Sequence, residues 1–314
     1  MQECRLERAR SRAVSPLEIW HLPVDGEPVC GRLGTPAVES MREQGIEEPE
    51  IGRLTGALAV RLARQVRDGD VSLDRFLERQ REAARRVRGC DRFCFAGGLT
   101  RLPGFASFVD EHASRAEMVG DGTPASILRG ADRVAPEDAE AVLVVDVGQT
   151  AVKTGLLRRT SQGPVVGEVT RVARPTSRLP IDVVDPEAPC RRPAREEAVE
   201  EAVAYIGEAI EEARDGVSSF VLALPCAVDD RLRPAPCTYP GWEHAPDLVA
   251  RIARRAGIDE PGNRLVVLND AELAGYAALN TLETRDLRGD ALVITLGFGP
   301  GGAYVDLEAD HGGK

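Results

Sequence analysis

Residues Val144–Leu156 read VVDVGQTAVKTGL: an apolar strand that delivers Asp146, a tight Gly148-Gln149-Thr150 turn, and a second apolar run able to fold back as a hairpin. A carboxylate, a glycine and a hydroxyl presented by one turn suit a metal-bound phosphate. The glycine lets backbone N–H groups approach oxygen closely. Asp146 can hold Mg²⁺ through water, and Thr150 can donate to a phosphate oxygen. Such a turn normally opens a nucleotide-binding domain, yet here it begins almost halfway along the chain.

Three other segments carry chemistry of a compatible kind. Leu292–Val305, LVITLGFGPGGAYV, is a second strand–turn–strand unit, whose Gly297, Gly299, Gly301 and Gly302 can set N–H groups in a concavity around anionic oxygen. Val266–Ala278, VVLNDAELAGYAA, places Asn269-Asp270 where a strand ends and a helix starts. Asp270 there is either an N-cap for the free helix N–H groups or a general base for a substrate hydroxyl, with Asn269 donating to the same substrate. Strand C-termini are where open α/β sheets usually hold their ligands. Phe93–Phe105, FCFAGGLTRLPGF, is a third strand–glycine turn, where Gly97 and Gly98 either make a tight strand-to-helix connection or let a flat base or ribose lie on backbone.

The intervening sequence supplies the elements that would position these turns. Ile51–Val66 and Leu73–Val87 have apolar residues at helical spacing, Arg92–Ala96 is a short strand, and Gly104–Ala113 reads as a helix. Met1–Ser15 is polar and reads as irregular, Glu18–Val24 as a short strand or loop, and Pro136–Ala141 as a linker. From Val142 the pattern becomes strand, turn, strand, continuing through Thr160–Pro175, with a Pro-rich charged loop at Val184–Arg195. Helices Glu196–Arg214, Ala245–Ala256 and Ala271–Leu282 then alternate with strands Ser219–Leu224, Arg264–Leu268, Ala291–Leu296 and Gly302–Leu307. This alternation argues for α/β layers with mixed sheets.

Composition narrows the class of function. A chain of 314 residues with 43% hydrophobic residues can bury the cores of two ordinary domains. A net charge of −11 argues against a nucleic-acid surface and for a small-molecule partner. The basic run at Arg85-Arg86-Val87-Arg88 reads as a solvated helix face. Seven scattered cysteines without a C-x-x-C pair suggest a reducing cytoplasm. No apolar run is long enough to span a membrane, and the polar, Arg-rich start does not read as a secretory signal.

Taken in order, these motifs resemble the sugar kinase, heat-shock protein and actin superfamily, and within it the ROK branch (repressors, open reading frames, kinases). Asp146-Val147-Gly148-Gln149-Thr150 resembles the first phosphate motif, Gly297–Gly302 the second, and Gly97-Gly98 the adenosine motif. Pro240-Gly241-Trp242 is similar to the ROK segment that precedes the strand leading into Asn269-Asp270, and Leu224–Val228 stands where the family has its sugar-side loop. Glu18-Ile19-Trp20-His21-Leu22-Pro23 resembles the ROK Glu-x-Gly-His segment, Cys30-Gly31-Arg32-Leu33-Gly34 its cysteine-rich continuation, and Glu39-Ser40 the following acidic position. In the family these last elements follow the second phosphate motif; here they come first. The resemblance therefore implies a circular permutation of a two-lobed actin-like ATPase (ribonuclease H-like) fold, with mixed sheets flanked by helices. It assigns residues 17–138 and 285–314 to a discontinuous nucleotide lobe that carries the sugar-loop elements. Residues 140–284 form the phosphate-1 and catalytic-Asp lobe.

By the same resemblance Asp270 is the base that deprotonates a sugar hydroxyl, while Asn269, Glu18, His21 and Glu39 hold the sugar. Asp146 positions Mg²⁺ through water. Gly148, Gln149, Thr150, Lys153, Gly297, Gly299 and Gly301 embrace the phosphates, and Gly97 and Gly98 the adenosine. The implied activity is ATP-dependent transfer of the γ-phosphate to a hexose or amino-hexose, as in a glucokinase, by a cytoplasmic homodimer that binds neither nucleic acid nor membrane. Several positions depart from the pattern. Only His21 and Cys30 remain of the family's four zinc ligands, with Pro28 and Thr35 in the other places, so no structural zinc is expected. Trp20, Phe298, Pro300, Glu272 and Cys226 replace smaller or more polar residues. These departures keep a second reading open: a sugar or nucleotide sensor without catalysis and without a DNA-binding domain. A third, a phosphotransferase using another acceptor or polyphosphate, also stands.

Overall fold

The computed structural model describes residues 4–9, 13–17, 19, 22–24, 26–68, 83–148, 150–173, 192–235 and 242–309. Two short strands come first, β1 (Arg5–Arg8) and β2 (Val14–Leu17), then the small ladder of β3 (Pro23–Val24) and β4 (Glu27–Pro28), then helices α1 (Thr35–Glu43) and α2 (Glu48–Asp68). They are followed by β5 (Arg92–Ala96), α3 (Phe105–His112), β6 (Ala116–Met118) and α4 (Pro124–Leu128). Strands β7 (Ala141–Val147), β8 (Ala151–Thr160) and β9 (Gly163–Ala173) form a meander, and α5 (Arg192–Ala213), β10 (Ser219–Leu224), α6 (Leu248–Arg255) and β11 (Arg264–Asn269) alternate after it. Helix α7 (Asp270–Thr284) and the hairpin β12 (Asp290–Leu296) and β13 (Pro300–Asp306) come last.

The chain divides into two compact units, Met1–Arg10 with Ala131–Asp270, and Ser11–Gly130 with Ala271–Lys314. The first unit is built on a six-stranded sheet in the spatial order β1-β11-β10-β7-β8-β9. Strands β1, β11, β10 and β7 are parallel; β8 and β9 are antiparallel additions. Leu143, Val145 and Val147 of β7 join Phe220, Leu222 and Leu224 of β10 and Leu265 and Val267 of β11 in a core completed by α5 and α6. The two-residue period of a strand then puts Asp146 on the opposite face of the sheet. Trp242 is fully buried in that same core, beside Ala245 and Leu248, so its indole supports the fold rather than a ligand.

The second unit has a five-stranded sheet, β2-β13-β12-β5-β6, in which β12, β5 and β6 are parallel and β13 and β2 antiparallel. Its core takes residues from α2, α3, β5, β12 and the segment around β3. Matched strand for strand, β12, β13, β2, β5 and β6 repeat the order and directions of β7, β8, β9, β10 and β11. The first unit uses its five strands in chain order. The second uses them in the same order only when the sequence is read cyclically from β12. The α/β class with mixed sheets flanked by helices is thus as expected, and the repeated sheet agrees with a two-lobed actin-like architecture.

Local pattern misjudged the start of the chain. Residues 5–8 and 14–17 are strands, not irregular: β1 runs parallel to β11, and β2 lines up against β13. Both borrow their order from partners more than 200 residues away, which no local periodicity reveals. The segment 184–195, read as a loop, already enters α5 at Arg192. Ala83–Val87 is described and begins with a helical turn, while most of the Leu73–Val87 helix lies outside the described residues.

The Asp121 turn after β6 is held by its own side chain. The carboxylate accepts bonds from Thr123 N (3.0 Å), Thr123 Oγ1 (2.6 Å) and Ser126 Oγ (2.6 Å). Those bonds, Ser126 first, hold its pKa down at about 2 against the opposing effect of desolvation. A depressed acid contributes stability that is present above its ordinary pKa and is lost as pH falls through the folded value. The melting-temperature gap between the native chain and Asp121→Asn should therefore be constant near neutrality and close as pH falls from about 4 towards about 2.

Candidate active site

The hydrogen-bonded register of the first sheet fixes which residues meet at the C-terminal edge of its parallel strands. Asp146 is level with Ala223 of β10, and Leu224 is level with Asn269 of β11. This edge therefore gathers Asp146, the Gly148–Thr150 turn, Asn269 and Asp270. Asn269 is buried, and its Nδ2–H donates to Leu224 O at 3.2 Å, tying the ends of β10 and β11. Asp270 follows directly as the first residue of α7. A carboxylate there is favoured by the helix N-terminus.

The β7–β8 hairpin places Lys153 directly opposite Asp146. Cross-strand partners share a face, and Lys153 Nζ lies 2.6 Å from Asp146 Oδ2. Side-chain exposure is 10% for Asp146 and 29% for Lys153, so the pair is largely sheltered from solvent screening. The negative charge of Asp146 raises the Lys153 pKa against the cost of burial, and Asp270 raises it further. Arg171 on β9 works in the other direction, and its guanidinium donates to Thr150 Oγ1 at 3.4 Å. The turn itself is closed by Gly148 N–H donating to Ala151 O at 3.0 Å. Gln149 lies outside the described residues.

Composition adds weight to Lys153. Of 40 basic residues only two are lysines, Lys153 and Lys314. The chain uses arginine almost everywhere else, and here it keeps a compact ammonium. That bias was a usable signal for this position.

The second unit brings the other glycine motifs together. The β12–β13 hairpin pairs Leu296 with Pro300 and Thr295 with Gly301. The connection is thus only Gly297-Phe298-Gly299, while Gly301 and Gly302 lie in β13. At Gly301 a side chain would meet Thr295 Oγ1 at 2.5 Å, which accounts for the glycine by packing. Gly297 O accepts from Thr35 N–H at 3.0 Å and from Thr35 Oγ1 at 3.1 Å. A Cβ on Gly34 would lie 1.9 Å from Phe298 O. The start of α1 therefore clamps the turn, a contact between distant segments that neither sequence announces. Gly97 combines φ +98° with a Cβ position 2.4 Å from Leu296 O, so only glycine fits against the strand that leads into the turn. Gly98 is exposed and open.

Among the sugar-side residues, Glu39 lies on α1 and is exposed, whereas Glu18, Trp20 and His21 lie outside the described residues, as do Pro240 and Gly241. Among the described residues no group of three or more His, Cys, Asp or Glu side chains is arranged to hold a metal, and no helix is long and apolar enough to cross a membrane. Mg²⁺ bound chiefly by substrate phosphates requires only one or two protein carboxylates. The Asp146–Asp270 surroundings meet that requirement, because they already favour a positive charge, with the Lys153 ammonium as stand-in.

No protein-family model matches the chain, and no curated protein is similar to it. Among solved structures it is similar to a ROK hexokinase from Thermus thermophilus, 15% identical, covering 73% of this chain and 87% of that one at TM-score 0.32. It is also similar to the PPX-GPPA enzyme of Aquifex aeolicus, 16% identical, covering 49% of this chain at TM-score 0.29. The chain spans 44% of the length of that Aquifex structure. At these identities and scores the likeness names no activity for this chain.

Proposed function

We propose that this protein is a ROK-type sugar kinase that transfers the γ-phosphoryl group of ATP to a hydroxyl of a hexose or amino-hexose. The observation that carries the reading is the convergence of Asp146, Lys153, Thr150, Asn269 and Asp270 on one edge of the first sheet. Phosphoryl transfer depends on alignment and charge neutralisation, and this edge has groups for both. Asp270 accepts the sugar hydroxyl proton as that oxygen bonds to the γ-phosphorus and the bond to ADP breaks. Asn269 orients the acceptor, and Lys153, Thr150 and the Gly148 backbone meet phosphate oxygens. Mg²⁺ held through Asp146 would supply further neutralisation of phosphate charge. In the second unit the Gly297–Gly299 turn serves phosphate and the Gly97–Gly98 backbone adenosine. The cyclic match of the two sheets supports reading the chain as a circularly permuted member, and the family resemblance implies a cytoplasmic homodimer.

The Gly34 clamp gives a direct expectation. Gly34→Ala forces the turn away from Phe298 O, and a displacement of that order should weaken ATP–Mg²⁺ binding about 10- to 100-fold. Gly31→Ala, at a position with open space, should leave it unchanged. Calorimetry on the two variants checks both.

One observation favours a sensor without catalysis. Gly297 N–H points to Gly299 O at 3.4 Å, and Pro300 has no N–H, so the turn has few donors for a phosphate. Titration of the native chain with ATP–Mg²⁺, and separately with a hexose panel, distinguishes the readings: sugar affinity without nucleotide affinity selects the sensor.

A further inference from the structure

The Asp146–Lys153 pair has a consequence beyond phosphate contact. The Asp146 oxygen that holds the ammonium at 2.6 Å is already paired, and a second cation brought beside it meets like-charge repulsion. Metal bound there competes with the ammonium for the carboxylate. We propose that Lys153 is a resident cation that keeps divalent metal off Asp146 until a phosphate group draws the ammonium away. The inference rests on Asp146 serving metal as in the kinase reading, and concerns how that site is loaded.

Four features support it. The pair is set by strand register, since Asp146 and Lys153 are cross-strand partners, so it is built into the hairpin rather than into a surface rotamer. The negative charge of Asp270 also favours the same ammonium, though less than Asp146 does. The chain also uses lysine here against an overwhelming preference for arginine. A guanidinium would lock the carboxylate in a planar fork, whereas a compact ammonium on a flexible stem can exchange one oxygen partner for another. Arg171, bonded to Thr150 at the same turn, supplies a second positive charge that would help a phosphate compete for Lys153.

The test uses the full chain and Mn²⁺ alone, read by electron paramagnetic resonance, so that failure of the kinase reading and failure of this inference separate. Lys153→Met should bind Mn²⁺ at least about tenfold more tightly than the native chain, the change that follows from losing one charge-assisted competitor. Adding Asp146→Asn to that variant should abolish the gain. Equal or weaker binding by Lys153→Met, or a gain that survives Asp146→Asn, overturns the proposal whatever the activity. Should Lys153→Met not fold, ¹⁵N-lysine labelling of the native chain decides, because only two side-chain signals exist. The Lys153 ammonium resonance should move when Mg²⁺ and inorganic pyrophosphate are added together, and a resonance that stays fixed at saturation overturns the proposal.

Discussion

Asp270→Asn is expected to slow phosphoryl transfer by about 10²- to 10⁴-fold while leaving sugar affinity within a few-fold of native. The substitution keeps the shape and most of the hydrogen bonding and removes only the ability to accept a proton. Asp270 is the first residue of α7, so Asn there gives up only the favourable charge at the helix N-terminus, and the urea midpoint should stay close to native. This separates the two roles the residue can have. If Asp270 only supports the start of the helix, turnover in the variant is normal and stability changes little. If it is the base, stability is preserved and turnover collapses. Stopped assays of product formation beside sugar titrations give both numbers from one preparation. Native turnover in the variant would remove the mechanism proposed here.

Arg159→Ala should cost about 3 kcal/mol in the first unit. Arg159 reaches from β8 to the connection that precedes β7. Its Nε donates to Asp132 Oδ1 at 2.7 Å, Nη1 to Pro136 O at 2.6 Å and Glu137 O at 2.9 Å, and Nη2 to Asp132 O at 3.0 Å. Longer bonds reach Ala139 O and Ala135 O. One guanidinium thus ties together the Asp132, Pro136 and Glu137 carbonyls of this connection, where Pro136 O also accepts from Ala139 N–H. Removing it leaves those carbonyls and the Asp132 carboxylate without their shared donor. Lysine at 159 has one donor centre and should recover less than half of the loss. Urea unfolding of the native, Ala and Lys forms tests the ranking, and a lysine form as stable as native would show that charge alone matters. The segment from Pro136 to Ala141, a linker by composition, is therefore a fixed connection by structure.

These two cases show what the sequence made legible. β5 and β10 match their expected bounds because a strand of buried residues between turn signals is a local property. The glycine turns were visible because glycine marks backbone geometry directly. What escaped was non-local. The polar β1 is a strand only because β11 offers it an edge. The six-way grip of Arg159 depends on where a distant connection passes, and the Thr35 clamp on Gly297 joins segments at opposite ends of the chain. The Asp146–Lys153 pair lies between these extremes: both residues were candidates, but their contact follows from the hairpin register, which the turn sequence left open. Gly301 carries two readings at once. A glycine in a glycine-rich turn looked like a phosphate ligand, and its place in β13 against Thr295 gives it a packing reason of its own.

The proposed reaction is phosphorylation of a sugar. Its most direct test is ADP release from ATP–Mg²⁺ across hexoses, N-acetyl-hexosamines and their epimers, with mass spectrometry of the sugar in the same reactions. One sugar or a small set is expected to trigger ADP release with an equal amount of sugar monophosphate, and Asp270→Asn to suppress both. ADP or phosphate release that ignores the sugar, or nucleotide and sugar binding with no sugar phosphate from any member of the panel, would contradict it.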